Sequence, residues 1–230
     1  MNNILKQEEL EQPRRPSELR RYVSFLFEEI RRSDEAKKQA RLRKGLFKYL
    51  IREIYPLSVF AGWRYPEDNV LCVPKIGNQG YDATITDAVG RLVEEIEITW
   101  PVDGQLEKYR ARCLNERGFT NGKVGDPKEG RVTVKSRIFE AVRNKAKKDY
   151  GSASLVAVLD LWPDFFLDQA DSQEDVINLV DQLRGLKYKA RSVYLILFPV
   201  EYTERLGISH VLEVESSEQA AAGDADKPRA

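Results

Sequence analysis

Acidic side chains concentrate in one short stretch of the sequence, GYDATITDAVGRLVEEIEITW at residues 80–100. Successive side chains of a β-strand alternate between its two faces. In the second half of the stretch, this alternation places Glu94 at the start of an apolar packing face and places Glu95 and Glu97 on the opposite face. A hairpin partner would bring Asp82 to that opposite face. The sequence therefore predicts a group of carboxylates on one side of a sheet.

The pairing of the two strands decides how close these carboxylates come. If Thr86 pairs with Arg91 across the turn, Asp82 falls opposite Glu95 and diagonal to Glu97. Like charges that face each other in a sheet repel, and burying even one of them is costly without compensation. A divalent cation would supply that compensation.

Carboxylate oxygens are hard ligands, which suit Mg²⁺ or Mn²⁺. The predicted metal ligands are Asp82, Glu97 and Glu95. Such an ion keeps several waters and accepts phosphate oxygens, so the chemistry indicated is metal-assisted phosphodiester hydrolysis. The alternative is a solvated sheet face whose carboxylates point at water or pair with nearby Lys and Arg.

Short β-rich runs separated by turn residues surround these carboxylates and predict antiparallel strands. The runs are LSVFAGW, NVLCVPKI, YDATIT and RLVEEIEITW, with a tight turn at residues 87–90. Apolar residues at 3–4 spacing predict two helices before the strands. The first begins at Ser17 as N-cap, and the second runs from Leu46 to Ile54 and stops at Pro56.

The C-terminal half alternates between helical and strand patterns. We predict a short helix around 106–114, a helix over 134–150, a buried strand in SLVAVLDLW, a helix after a capping box at Ser172, and a buried strand in SVYLILFPV. The fold class is mixed α/β. We expect a disordered tail over 1–16, an N-terminal helix over 17–43, an α/β domain over 44–214 and a disordered tail over 215–230.

Gly80-Tyr81-Asp82, a hairpin, and then Glu97-Ile98-Thr99 resemble the motif of the PD-(D/E)XK nuclease superfamily. The resemblance covers residues 44–162 and implies a restriction endonuclease-like αβββαβ core with a mixed sheet. To this core the chain adds an N-terminal helix and a C-terminal αβ extension. The resemblance also implies a DNA-directed hydrolase in which Asp82 and Glu97 bind the metal.

Further roles follow from the same resemblance. The first core helix of the superfamily often carries a Glu that reaches the site, and Glu53 occupies a suitable position. The motif Lys, two residues after the Glu, is replaced by Thr99. Some members carry the lysine on the following helix, where Lys145 falls on the apolar side about 20° from Ile138 at 100° per residue.

Two functions are therefore expected. The first is an Mg- or Mn-dependent nuclease that cleaves DNA, or alternatively RNA, with Asp82, Glu97, Glu95, Glu53 and Lys145 as catalytic residues. The alternative is an inactive nuclease-fold module that binds nucleic acid or a protein partner. A third reading is self-association as a homodimer through the N-terminal helix.

Composition limits the choice of partner. Lys and Arg together number 37 and so do Asp and Glu, so a nucleic acid must be bound by a local patch. One such patch is the predicted helix over 134–150, which carries Arg137, Arg143, Lys147 and Lys148. No apolar run approaches the ~20 residues that cross a bilayer, so no membrane partner is expected. Two scattered cysteines and no signal sequence predict a cytoplasmic location.

Overall fold

A computed structural model describes residues 4–77, 80–100, 104–118, 127–160, 170–198 and 211–216. The protein is mixed α/β, as predicted. Its contacts divide the chain into two compact units. The first unit comprises Met1–Ile98 and Asp103–Val124, and the second comprises Thr99–Val102 and Gly125–Ala230. The division runs through the 44–214 range that was predicted as one domain.

Helices make up most of the first unit. They are α1 (Gln7–Leu10), α2 (Pro16–Arg32), α3 (Asp34–Arg41), α4 (Leu46–Tyr49), a π-helical turn (Leu50–Ile54), α5 (Tyr55–Arg64) and α6 (Gly104–Arg117). Helix α2 buries Leu19, Val23, Leu26 and Ile30, which confirms the predicted apolar stripe. It begins at Pro16, since proline suits the first helical position. Ser17 is not the N-cap, and its N–H and Oγ instead donate to the carboxylate of Asp68.

The segment before α2 is packed rather than loose. Leu5 and Leu10 are buried. Arg14 and Cys72 exchange backbone hydrogen bonds of 3.1 and 2.7 Å. The guanidinium of Arg14 also lies 3.7 Å from the ring centroid of Tyr22. Residues 4–16 thus differ from the predicted tail, whereas residues 217–230 of the predicted C-terminal tail lie outside the described part of the chain.

The helical region around Pro56 contradicts two predictions. Pro56 does not end a helix, because it lies in the first turn of α5, where its missing N–H costs little. The π-helical turn directly before it widens the backbone where the proline ring would otherwise clash. The run LSVFAGW, predicted as a strand, belongs to α5. Its residues 57–61 are all buried, and a helix buried on every side has no period that separates it from a buried strand.

Three antiparallel strands complete the first unit, β1 (Val70–Pro74), β2 (Ala83–Asp87) and β3 (Leu92–Thr99), joined in chain order. The predicted pairing of Thr86 with Arg91 is wrong. The turn pairs Thr86 with Leu92, one residue from the prediction, and a bulge between Ile85 and Thr86 adds a second residue, so that Thr84 faces Glu95. The shift of two residues keeps Thr84 and Glu95 on their predicted common face and changes their partners, whereas Leu92 is exposed rather than packed.

The second unit contains α7 (Pro127–Ala146), β4 (Ala153–Asp160), α8 (Ala170–Arg184), β5 (Ser192–Phe198) and β6 (Val211–Ser216). Strands β4 and β5 are parallel and β6 is antiparallel to β5. The central strands are apolar along their length because both faces are covered, as predicted from their continuous apolar runs. Helix α7 starts earlier than predicted, and β6 was not predicted. No helix in the described residues is long and apolar enough to cross a membrane.

Candidate functional site

Asp82 lies immediately before β2, and its contacts fix its position against β3. Its N–H donates to the carbonyl of Ile96 at 2.8 Å. Its Oδ2 accepts from the N–H of Ile98 at 2.7 Å. These two bonds bracket Glu97, so Asp82 adjoins Glu97 on the neighbouring strand. The prediction had placed Asp82 opposite Glu95, and the register at the turn and the bulge between Ile85 and Thr86 each shift the pairing by one residue.

Glu53 lies on the π-helical turn and is half-buried. Burial is the largest cause that raises the pKa of its carboxyl, and the total effect brings that pKa to about 8. The negative charges of Asp82 and, more weakly, Glu97 raise it further, whereas Lys48 and Arg52 oppose the rise. The charges of Asp82 and Glu97 thus both act on the carboxyl of Glu53. We call these three residues the carboxylate cluster.

A π-helical turn inserts one extra residue into a helical turn and is often found at functional sites. Here the turn sits between α4 and α5, directly before Pro56. It carries Glu53 near the other two acids of the cluster. The position of Glu53 was suggested by the sequence, but the turn that presents it was not.

The two remaining acids of the stretch occupy different environments. Glu95 is half-buried on the face of the cluster, and its Cα partner is Thr84. Glu94 is 5% exposed, and its Oε2 accepts a hydrogen bond from the Tyr65 hydroxyl at 2.5 Å. The prediction placed Glu94 at the start of the packing face, and the structure shows that it belongs to the buried part of that face. Its Tyr65 contact stabilises the fold rather than the cluster.

The two positions considered for a catalytic lysine differ in their surroundings. Thr99, which takes the place of the motif lysine, is 4% exposed and neutral. Lys145 lies on α7 in the second unit, half-buried, beside Ala146 of the apolar core. A role for Lys145 at the carboxylate cluster stays a prediction.

Lys75 was not among the predicted site residues, and its backbone lies beside that of Asp82 within the first unit. It follows Pro74, the last residue of β1, and its N–H donates to the carbonyl of Asp82 at 2.8 Å. Pro74 pairs with Ala83, and both are buried. Alternation then turns the next residue in each strand, Lys75 and Asp82, to the other face. Lys75 directly follows a predicted strand, but its position beside Asp82 could be inferred only once the pairing of β1 with β2 was known.

The donor chemistry of the cluster fits a hard divalent cation. A cation would relieve the mutual repulsion of the three carboxylates. Mg²⁺ binds through one or two carboxylates, with waters in its other coordination positions. Asp82 and Glu97 would meet that requirement. Within the residues that the structure describes, no three Asp, Glu, His or Cys side chains converge into a ready-made metal site. The fit therefore rests on two carboxylates rather than three.

Comparison of the chain with protein-family models, with curated proteins and with solved structures found no match. The function is therefore argued from the geometry of the first unit. Its main features are the carboxylate cluster, the lysine beside Asp82 and the raised pKa of Glu53.

Proposed function

We propose that the protein is a metal-dependent phosphodiesterase of the nuclease type, with DNA as the favoured substrate and RNA as the alternative. The observation that carries this proposal is the position of Asp82, whose hydrogen bonds with Ile96 and Ile98 set it beside Glu97. The order of a helix, three antiparallel strands, further helices and a strand is also the order that the resemblance to the PD-(D/E)XK superfamily implies. A restriction endonuclease-like core is part of the proposal.

Asp82 and Glu97 would hold Mg²⁺ or Mn²⁺, with Glu95 in support. When bound, the ion lowers the pKa of a water and offsets charge on the phosphate. Asp82 is positioned for this task, because the N–H of Ile98 donates to one of its carboxylate oxygens. Glu95 and Glu97 lie on β3 and Asp82 lies immediately before β2, and placement on or next to strands favours precise positioning.

Glu53 is suited to general base or acid work. With a pKa of about 8, its carboxyl exchanges a proton near physiological pH, where proton transfer by a side chain is most effective. A positive group would orient the phosphate or the attacking water. Lys75 and Lys145 are the two candidates for this role. Lys75 has the support of its backbone contact with Asp82.

A second function is favoured by one specific observation. Thr99 is buried and neutral at the position of the motif lysine, so a charge that assists the water is missing there. A protein with the same fold and no replacement for that charge would bind nucleic acid, or a protein partner, without cleaving it. The behaviour of Lys75 and Lys145 variants separates these two functions.

Cleavage assays test the proposal directly. Supercoiled, linear and single-stranded DNA and RNA are incubated with the protein and Mg²⁺ or Mn²⁺. Asp82→Asn keeps an oxygen for the N–H of Ile98 while removing the charge. We expect it to reduce cleavage at least about 100-fold, since metal-ligand charge is lost. Glu140→Gln, which changes an exposed carboxylate paired with Arg143 in the second unit, is the matched control and should cleave normally.

Two results would decide against the enzyme. Cleavage that persists unchanged in Asp82→Asn would come from a contaminant. Binding without any cleavage by the wild-type protein, across all substrates and both metals, would establish the non-catalytic module instead.

A further inference from the structure

Residues 37–52, KKQARLRKGLFKYLIR, contain seven Lys and Arg residues and no Asp or Glu. This local excess stands out because the whole chain has a formal net charge of zero. We call these residues the basic segment. It begins in α3, passes through a turn into α4, and ends in the π-helical turn immediately before Glu53.

Most cations of the basic segment are open to solvent. Lys38, Arg41, Lys44 and Lys48 are exposed. None of these four forms an ion pair with a carboxylate in the described part of the chain, whereas Lys37 pairs with Asp34 at 2.8 Å. Lys38 and Arg41 lie three residues apart on α3 and so share one side of that helix. Like charges kept together in this way attract an external anion.

The basic segment ends directly before Glu53 in the chain, and two of its cations also act electrostatically on the Glu53 carboxyl. Lys48 and Arg52 both lower the pKa of Glu53 against the effect of burial. Their positive charges therefore act on the same carboxyl group as Asp82 and Glu97. A polyanion that follows the segment from α3 to the π-helical turn would therefore approach Glu53 and the carboxylate cluster.

Helix α7, the basic surface predicted from the sequence, is less open to an anion. Arg143 pairs with Glu140 and Lys135 pairs with Asp175, so part of its positive charge is already neutralised. The helix also carries acids among its cations, whereas the basic segment has none.

We infer that the basic segment binds the phosphate backbone of a nucleic acid and sets one phosphodiester beside Asp82 and Glu97. The placement of a phosphodiester at Asp82 and Glu97 rests on the proposed function. A repeating phosphate chain matches a row of exposed cations without a fixed sequence. A membrane surface matches less well, because stable binding there combines charge with buried apolar area or a lipid anchor, and residues 37–52 expose no large hydrophobic side chain.

Fluorescence anisotropy of the full chain with a labelled 20-base-pair DNA duplex tests the inference. EDTA is present so that no cleavage occurs, and NaCl is varied from about 50 to 200 mM. The variant K38Q/R41Q/K44Q removes three exposed charges that lie away from the carboxylate cluster. We expect the Kd at low salt to rise at least ten-fold. The slope of log K against log salt should fall by about 2.7, since each lost phosphate contact contributes about 0.9.

The matched control is R137Q/K147Q/K148Q, which removes the same charge from exposed positions on and just after α7. It should bind DNA nearly as well as the wild-type protein. Circular dichroism of both variants checks that each is folded. The same titrations with single-stranded DNA, duplex RNA and phosphatidylserine vesicles identify the source of the phosphate.

Three results would overturn the inference: no DNA or RNA binding by the wild-type protein, an equal loss in the α7 control, or binding of vesicles alone. Failure of the proposed function looks different. In that case Asp82→Asn and wild-type protein both bind in EDTA through the basic segment, and neither cleaves when Mg²⁺ or Mn²⁺ is added.

Discussion

Replacing Glu53 by Gln removes a carboxyl whose ionisation is opposed first by burial and then by the charges of Asp82 and Glu97. The pKa of Glu53 rises from the ordinary 4.5 to about 8 in the folded protein. Between these values the folded state holds a proton that the unfolded chain releases. The free energy of unfolding of the wild-type protein should therefore fall as pH rises through this window. Gln is neutral at every pH, so the free energy of unfolding of Glu53→Gln should not show this decrease.

The size of the effect follows from the same two pKa values. Taken in full, the difference between 4.5 and 8 corresponds to about 5 kcal/mol at ~1.4 kcal/mol per pH unit. Glu53 is only half-buried, so solvent screens part of this energy, and we expect about 2 kcal/mol. At pH 5, only about half a pH unit above the ordinary pKa of Glu53, little of the difference has developed, so the two proteins should be similarly stable. At pH 9, Glu53→Gln should be the more stable by about 2 kcal/mol.

Urea unfolding followed by circular dichroism at pH 5, 7 and 9 measures these differences. The exposed control Glu140→Gln should change stability by less than about 0.5 kcal/mol at each pH. If the stability advantage of Glu53→Gln stays constant from pH 5 to pH 9, the pKa of Glu53 is not raised as described. If Mg²⁺ binds the cluster, its addition at pH 9 should stabilise the wild-type protein more than Glu53→Gln.

Two further predictions concern the neighbours of the cluster. Tyr65→Phe removes the hydroxyl that donates to the buried carboxylate of Glu94, and it should lower the free energy of unfolding by about 1–3 kcal/mol without changing DNA binding in EDTA. A smaller loss than about 0.5 kcal/mol by urea unfolding would contradict this role. In cleavage assays, Lys75→Gln should reduce the rate at least about ten-fold if Lys75 supplies the missing charge. A loss in Lys145→Gln with normal cleavage by Lys75→Gln would assign that charge to the second unit.

Local patterns were enough to predict much of the secondary structure. The period of 3–4 found α2, β-rich runs found β1, β2 and β3, and period-2 alternation assigned the faces of β2 and of β3 beyond Leu92. Continuous apolar runs found β4 and β5. These patterns succeed because burial of one face depends only on the order of residues along an element. The same rule failed over residues 57–63, where α5 is buried on several sides and has no polar face.

The sequence determined which types of residue could form the carboxylate site. The tertiary structure decided which of those residues are neighbours. The sequence alone placed Asp82, Glu95 and Glu97 on one face, because alternation is a local property of a strand. It could not decide which of them adjoin, since a bulge beside Thr86 moves the pairing by long-range hydrogen bonding. Nor could it bring Glu53 to the cluster or set its pKa, because burial and neighbouring charge exist only after distant segments pack.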